Sequence, residues 1–129
     1  MPDKPLVLLV DDEEHVLSAL ARQWRGEPWE LQVFRSAATA LDFLRQRESA
    51  VIVSDYRMPE CNGLELLRQV RDRYPDTVGI LLSGYIDPQV VMNALNQEVS
   101  WRFLTKPWQD EELIFTVRQA VEHYRLRKE

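Results

Sequence analysis

Five short apolar runs alternate with segments of helical periodicity along this chain, and that alternation leaves few folds open. Pro5–Val10 (PLVLLV) is apolar throughout, the pattern of a strand buried on both faces. From Glu13 the spacing changes, and Val16, Leu17, Leu20 and Trp24 fall on one helical stripe that Gly26 is placed to end. Trp29–Phe34 reads as a second strand, followed by a helix that Ser36 can cap and that carries Leu41 and Leu44. Ala50–Val53 is the third strand, with a helix through Leu64, Leu67 and Val70 that ends by Pro75. Val78–Leu82 is the fourth; Asp87 and Pro88 then open a helix whose inner face is Val90, Val91, Ala94 and Leu95. Trp101–Leu104 is the fifth, and Asp110 starts a helix to the end of the chain. Successive βα units give an α/β fold, a doubly wound parallel sheet with helices on both faces, because right-handed crossovers are nearly obligatory.

Composition sets the outer limits. A chain of 129 residues is expected to be a single domain, 1–129, with a real core, and 45% hydrophobic with 29% charged residues excludes a disordered chain. Sixteen basic against 21 acidic residues leave a net charge of −5, so charge alone draws the domain neither to nucleic acid nor to an anionic membrane. One cysteine permits no internal disulfide, and no apolar run approaches the ~18 residues of a membrane span. A cytoplasmic location is expected.

In open parallel sheets the ligand site lies at the carboxyl ends of the strands. There the sequence puts Asp11 and Asp12 after strand one, Asp55 after three, Ser83 after four and Lys106 after five. Strand two offers only Arg35 and Ser36, which suits an outer position away from the crevice. Three crowded carboxylates resist ionisation unless a cation joins them, and an all-oxygen set favours a hard ion such as Mg²⁺. A metal site alone needs neither a hydroxyl nor an ammonium. A cation, Ser83 and Lys106 around Asp55 suit a phosphoryl group in transfer, with Asp55 as the nucleophile that forms an aspartyl phosphate.

The segments LLVDDEE, VSDYRMPECNGLELL, ILLSGY and FLTKPW together resemble the receiver domain of bacterial two-component response regulators, over essentially the whole chain. The resemblance implies a flavodoxin/CheY-like sheet with strand order 2-1-3-4-5 and five helices. It implies that Asp55 is the phosphoacceptor for a sensor histidine kinase or phosphotransfer protein. Mg²⁺, or Mn²⁺ in its place, would be held by Asp12, Asp55 and the backbone carbonyl of Arg57, with Asp11 acting through water. Ser83 and Lys106 would grip the phosphoryl oxygens, and Phe103 stands where the family has its switch aromatic. Arg57 and Tyr85 occupy the positions that tune phosphoryl lifetime, and the Lys106–Pro107 peptide is expected to be cis. Such a domain is a regulatory module rather than an enzyme, at most self-catalysing its phosphorylation from small donors and its dephosphorylation. It would drive an attached or separate effector; the KPW segment is similar to receivers joined to HD-GYP phosphodiesterases or hybrid kinases, and the chain is expected to be cut from a longer regulator or to stand alone.

Plainer readings exist for each residue. Asp11–Asp12 could serve only as a helix cap, Lys106 as a surface lysine and Ser83 as a turn residue. His15 and His123 suggest no ligand set, Cys61 is an inert loop thiol, and Trp24, Trp29 and Trp101 are packing residues; Trp108 directly follows the site lysine and proline. Two other functions compete: a scaffolding receiver that is never phosphorylated, and an aspartate-nucleophile phosphohydrolase, whose D-x-D-x-T pattern after the first strand is absent here. On the last helix Leu113, Ile114, Val117, Val121 and Tyr124 form the core stripe. Phe115 and Leu126, with Met92 on the fourth helix, fall off the core faces and are expected to form an effector or homodimer surface.

Overall fold

The computed structural model describes residues 4–84, 87–97 and 99–129. Five strands alternate with five helices: β1 (Leu6–Val10), α1 (Glu14–Gln23), β2 (Glu30–Phe34), α2 (Ala37–Leu44), β3 (Val51–Asp55), α3 (Gly63–Arg73), β4 (Val78–Ser83), α4 (Pro88–Asn96), β5 (Arg102–Thr105) and α5 (Asp110–Lys128). The strands form one parallel sheet in the order β2-β1-β3-β4-β5, as expected.

The uninterrupted apolar strands have the predicted cause, since the sheet is covered on both faces. Val7, Leu9, Val51, Val53, Ile80 and Leu82 pack with Leu17 and Leu20 of α1 and Leu113, Val117 and Val121 of α5. The alternate residues Leu6, Leu8, Val10, Ile52 and Leu81 pack with α2, α3 and Ala94 of α4. Burying each Leu, Ile or Val side chain contributes about 1.5–3 kcal/mol relative to leaving it in water. The central strands β1, β3 and β4 are buried at every position, whereas the edge strand β2 is mostly half-exposed. No helix among the described residues is long and apolar enough to cross a membrane.

Helix ends follow local chemistry. Ser36 accepts from the Thr39 N–H, Asn62 from the Glu65 N–H at 2.8 Å and Asp87 from the Gln89 N–H at 2.8 Å, so three helices begin at side-chain caps. Helix α1 stops at Gln23, one residue before the expected stripe ends, and the turn uses a left-handed Gly26 (φ 85°). Trp24 remains buried beyond the helix, edge-on to Trp29 at 5.8 Å. A bidentate Arg118–Glu27 pair at 2.8 Å then ties α5 to that turn.

Two expectations about α4 and α5 divide. Phe115 and Leu126 are each 58% exposed and Met92 is 53% exposed, as the helical arithmetic required. Leu95, assigned to the inner face of α4, is 40% exposed, and Ala94 is that helix's one buried residue. The stripe was correct in angle, but the C-terminal end of α4 borders an open cleft of about 310 Å³ beside Trp101 and His123. There, helical phase alone does not bring burial.

Candidate functional site

Two of the expected loop residues are the last residues of strands. Asp55 ends β3 and Ser83 ends β4, while Asp11 and Asp12 follow β1 and Lys106 follows β5. Ladder geometry therefore orients Asp55 and Ser83, which makes them more rigid than loop residues. Tyr56 N–H donates to the Leu82 carbonyl at 2.8 Å and Lys106 N–H to the Ser83 carbonyl at 2.7 Å, so the pairing continues through the site. Tyr85, expected to tune lifetime, lies outside the described residues.

The side chains converge as the strand-end rule requires. Asp12, Glu13, Asp55, Arg57, Ser83, Gly84 and Lys106 line a cleft of about 410 Å³. Carboxylate oxygens of Asp11, Asp12 and Asp55 lie within 4.8 Å of one another, a grouping that suits an oxygen-ligated cation. The Lys106 ammonium is 2.9 Å from Asp55 Oδ1 and 4.0 Å from Asp11 Oδ2. Its ring neighbour is Trp108, whose centroid is 5.9 Å from Nζ; Trp108 lines an adjoining cleft with Glu13, Val16 and Pro107. The Lys106–Pro107 peptide is cis, as expected.

Asp11 carries the strain of this arrangement. Its side chain is fully buried; Oδ1 accepts from the Glu13 N–H at 2.9 Å, while Oδ2 has no hydrogen-bond partner among the described residues. Burial, opposed by the Glu13 N–H and reinforced by the Asp55 charge, pushes its carboxyl up to about 6 from 3.8. Such a group is short of positive charge. Burial pulls the Lys106 ammonium down, yet its bond to Asp55 and the charges of Asp55, Asp11 and Glu13 outweigh this and raise its pKa.

Several contributions were not legible beforehand. Gly63 starts α3 against the site: a Cβ there would collide with the Asp55 backbone carbonyl, and its N–H donates to the Tyr56 carbonyl at 2.7 Å. Arg35, set aside with the outer strand, reaches the β1–α1 loop and donates from Nη2 to the Asp12 carbonyl at 3.2 Å. Position on a strand marks where a backbone stands, not how far a guanidinium extends. Arg57 is exposed at the cleft, and Phe103 is half-buried against the α2–α4 side of the sheet. His15 is exposed beside Glu13, and His123 stacks on Trp101 at 5.2 Å; neither belongs to the Asp11–Asp12–Asp55 group. Burial, then the charges of Glu65 and Glu60, raise the Cys61 thiol's pKa, consistent with an inert thiol.

The sequence model of the response regulator receiver domain matches residues 7–118. The chain belongs to that family. Receiver domains are regulatory phosphoacceptor domains, not classical enzymes, and they generally bind Mg²⁺ at an acidic pocket of the kind formed here by Asp11, Asp12 and Asp55. Over 123 residues the chain is 40% identical to the hydrogenase transcriptional regulatory protein HoxA of Cupriavidus necator, covering 95% of this receiver and 25% of that regulator. It thus spans about a quarter of that regulator's length. The signal receiver domain of an HD domain-containing protein from Pseudomonas fluorescens Pf-5 superposes with a TM-score of 0.91 at 35% identity, over 99% of this chain and 94% of that one. The beryllofluoride-activated NtrC4 receiver domain dimer gives 0.84 at 28% identity, over 92% of this chain and 98% of that one.

Proposed function

We propose that this receiver domain is a cytoplasmic signalling module that takes a phosphoryl group onto Asp55 from a sensor histidine kinase or phosphotransfer protein, and thereby changes its α4–β5–α5 face toward an effector. The observation that carries this reading is the direct contact of Lys106 Nζ with Asp55 Oδ1, 2.9 Å, inside a cleft that also holds Ser83 and two more carboxylates. A scaffolding receiver has no need of that pairing. The phosphohydrolase reading falls with membership of the family and with the missing motif.

Asp12, Asp55 and the Arg57 carbonyl would hold Mg²⁺, with Asp11 bound through water; the unpartnered Asp11 Oδ2 and its raised pKa fit a cation. Mg²⁺, or Mn²⁺, supplies positive charge to the transferring oxygens. Lys106 holds Asp55 Oδ1, which leaves Oδ2, with no partner among the described residues, as the attacking oxygen. As the new O–P bond forms, the donor's P–N bond breaks and its imidazole leaves. The Lys106 ammonium and the Ser83 hydroxyl then bind phosphoryl oxygens. Drawing Ser83 inward opens space that Phe103 fills, and α4, attached to the sheet through one fully buried residue, shifts with it.

Arg57 and Tyr85 would set the lifetime of the aspartyl phosphate by obstructing water. Met92, Leu95, Phe115 and Leu126 give the output face its apolar character, suited to a homodimer or an effector contact. The similar proteins named above join such domains to different outputs, a transcriptional regulator and an HD-domain protein, and either class fits this surface.

The test is incubation with acetyl phosphate and Mg²⁺, followed by mass spectrometry. The wild type is expected to gain the mass of one phosphoryl group, and Asp55→Asn or added EDTA to prevent it. Equal labelling of Asp55→Asn refutes the assignment.

A further inference from the structure

We propose that Arg35 is a positioning residue for the cation site, holding the backbone of Asp12 so that its carboxylate stays aimed at the ion. The inference rests on Asp12 being a direct cation ligand.

The β1–α1 loop has three anchors. Asp11 N–H donates to the Phe34 carbonyl at 3.0 Å, which extends the β1–β2 ladder by one residue. Glu13 N–H donates to Asp11 Oδ1 at 2.9 Å. Asp12 lies between these two, and Arg35 Nη2, donating to the Asp12 carbonyl at 3.2 Å, supplies the third. Helix α1 offers no substitute, because its N-cap residue Glu13 makes no side-chain cap bond. The same arginine lines a small cavity with Met58, Pro59 and Glu60 of the β3–α3 loop, so it stands between the two loops that bring the carboxylates together.

Two effects of this side chain on a divalent cation have opposite signs. Its positive charge repels the ion, so removing the charge alone tightens binding. Its hydrogen bond fixes the ligand, so removing the bond weakens binding by returning conformational freedom to Asp12. The direction of change therefore separates them.

Arg35→Met keeps an aliphatic stem and removes both charge and donors; Arg35→Lys keeps a charged donor of similar reach. Mg²⁺ binding is measured by isothermal titration calorimetry on the domain at fixed ionic strength, alongside urea unfolding in EDTA. The expected result is a Kd about 2- to 5-fold higher for Arg35→Met, the loss typical of one hydrogen bond less the relief of charge repulsion, with Arg35→Lys partly restored. The exposed side chain's removal is expected to leave metal-free stability unchanged. Unchanged or tighter Mg²⁺ binding by Arg35→Met overturns the proposal. Asp12→Ala is the control: wild-type affinity there overturns the reading of the site as well, whereas lost binding there with none lost in Arg35→Met refutes the role of Arg35 alone.

Discussion

Asp11→Asn should make the metal-free domain more stable while damaging its cation site. A carboxyl moved from 3.8 to about 6 penalises the folded state by about 3 kcal/mol at neutral pH, at roughly 1.36 kcal/mol for each tenfold change in proton affinity. Asparagine removes that charge and keeps an oxygen to accept the Glu13 N–H. That penalty is already net of the attraction of Lys106, 4.0 Å from Oδ2, so the offset is the buried N–H₂, which needs an acceptor such as Asp55. The net expectation is a gain of about 1–2 kcal/mol in EDTA at pH 7, or roughly 4–8 °C in Tm. The sign with pH follows from the raised value. Below about pH 4 the aspartate is protonated in both states and the variant has no advantage. As pH rises from about 4 to 6 the unfolded chain ionises first, wild-type stability falls, and the advantage grows; above about 6 it is complete. Urea unfolding followed by circular dichroism at pH 4, 5, 6 and 7 measures this difference directly. Saturating Mg²⁺ should narrow or reverse it, because the wild type gains more from the ion. A variant less stable than wild type at pH 7 in EDTA, or an advantage that is the same at pH 4 and pH 7, refutes the account of Asp11 as a strained carboxylate.

Three further outcomes are expected. Gly63→Ala places a Cβ against the Asp55 carbonyl and should destabilise the domain by about 1–3 kcal/mol, measured by urea unfolding, with weaker Mg²⁺ binding if β3 is displaced. Tryptophan emission should change on Mg²⁺ titration through Trp108, beside the Lys106 ammonium, and Trp108→Phe or Asp12→Ala should remove the response. Phe115→Ser combined with Leu126→Ser should suppress any dimer that beryllofluoride induces in sedimentation, without lowering stability by more than about 0.5 kcal/mol, since both side chains are exposed.

Much of the site was legible because its residues sit at strand ends, and strand ends are marked by a change from apolar runs to charge. The βα alternation requires a parallel sheet, and that places Asp11, Asp12, Asp55, Ser83 and Lys106 on one edge. Strand position does not reveal a side chain that acts far from its own backbone. Arg35 was assigned to the periphery with its strand, yet its guanidinium reaches the β1–α1 loop. Nothing in the local pattern around Gly63 marks the Asp55 carbonyl against which it packs.

Element order, the buried central strands and the angular faces of the helices follow from local periodicity, which records how each segment meets water. The sequence also determines which chemistry stands at each strand end. How closely those groups approach depends on the assembled fold: Asp11 Oδ2 and Lys106 Nζ come to 4.0 Å, and that oxygen has no hydrogen bond among the described residues. The fold likewise leaves Leu95 exposed although it shares a helical stripe with buried Ala94. The physical reason is the same in each case. Periodicity specifies the direction in which a side chain leaves its helix or strand, whereas burial, charge pairing and strain depend on the distant segment that the fold places, or fails to place, in that direction.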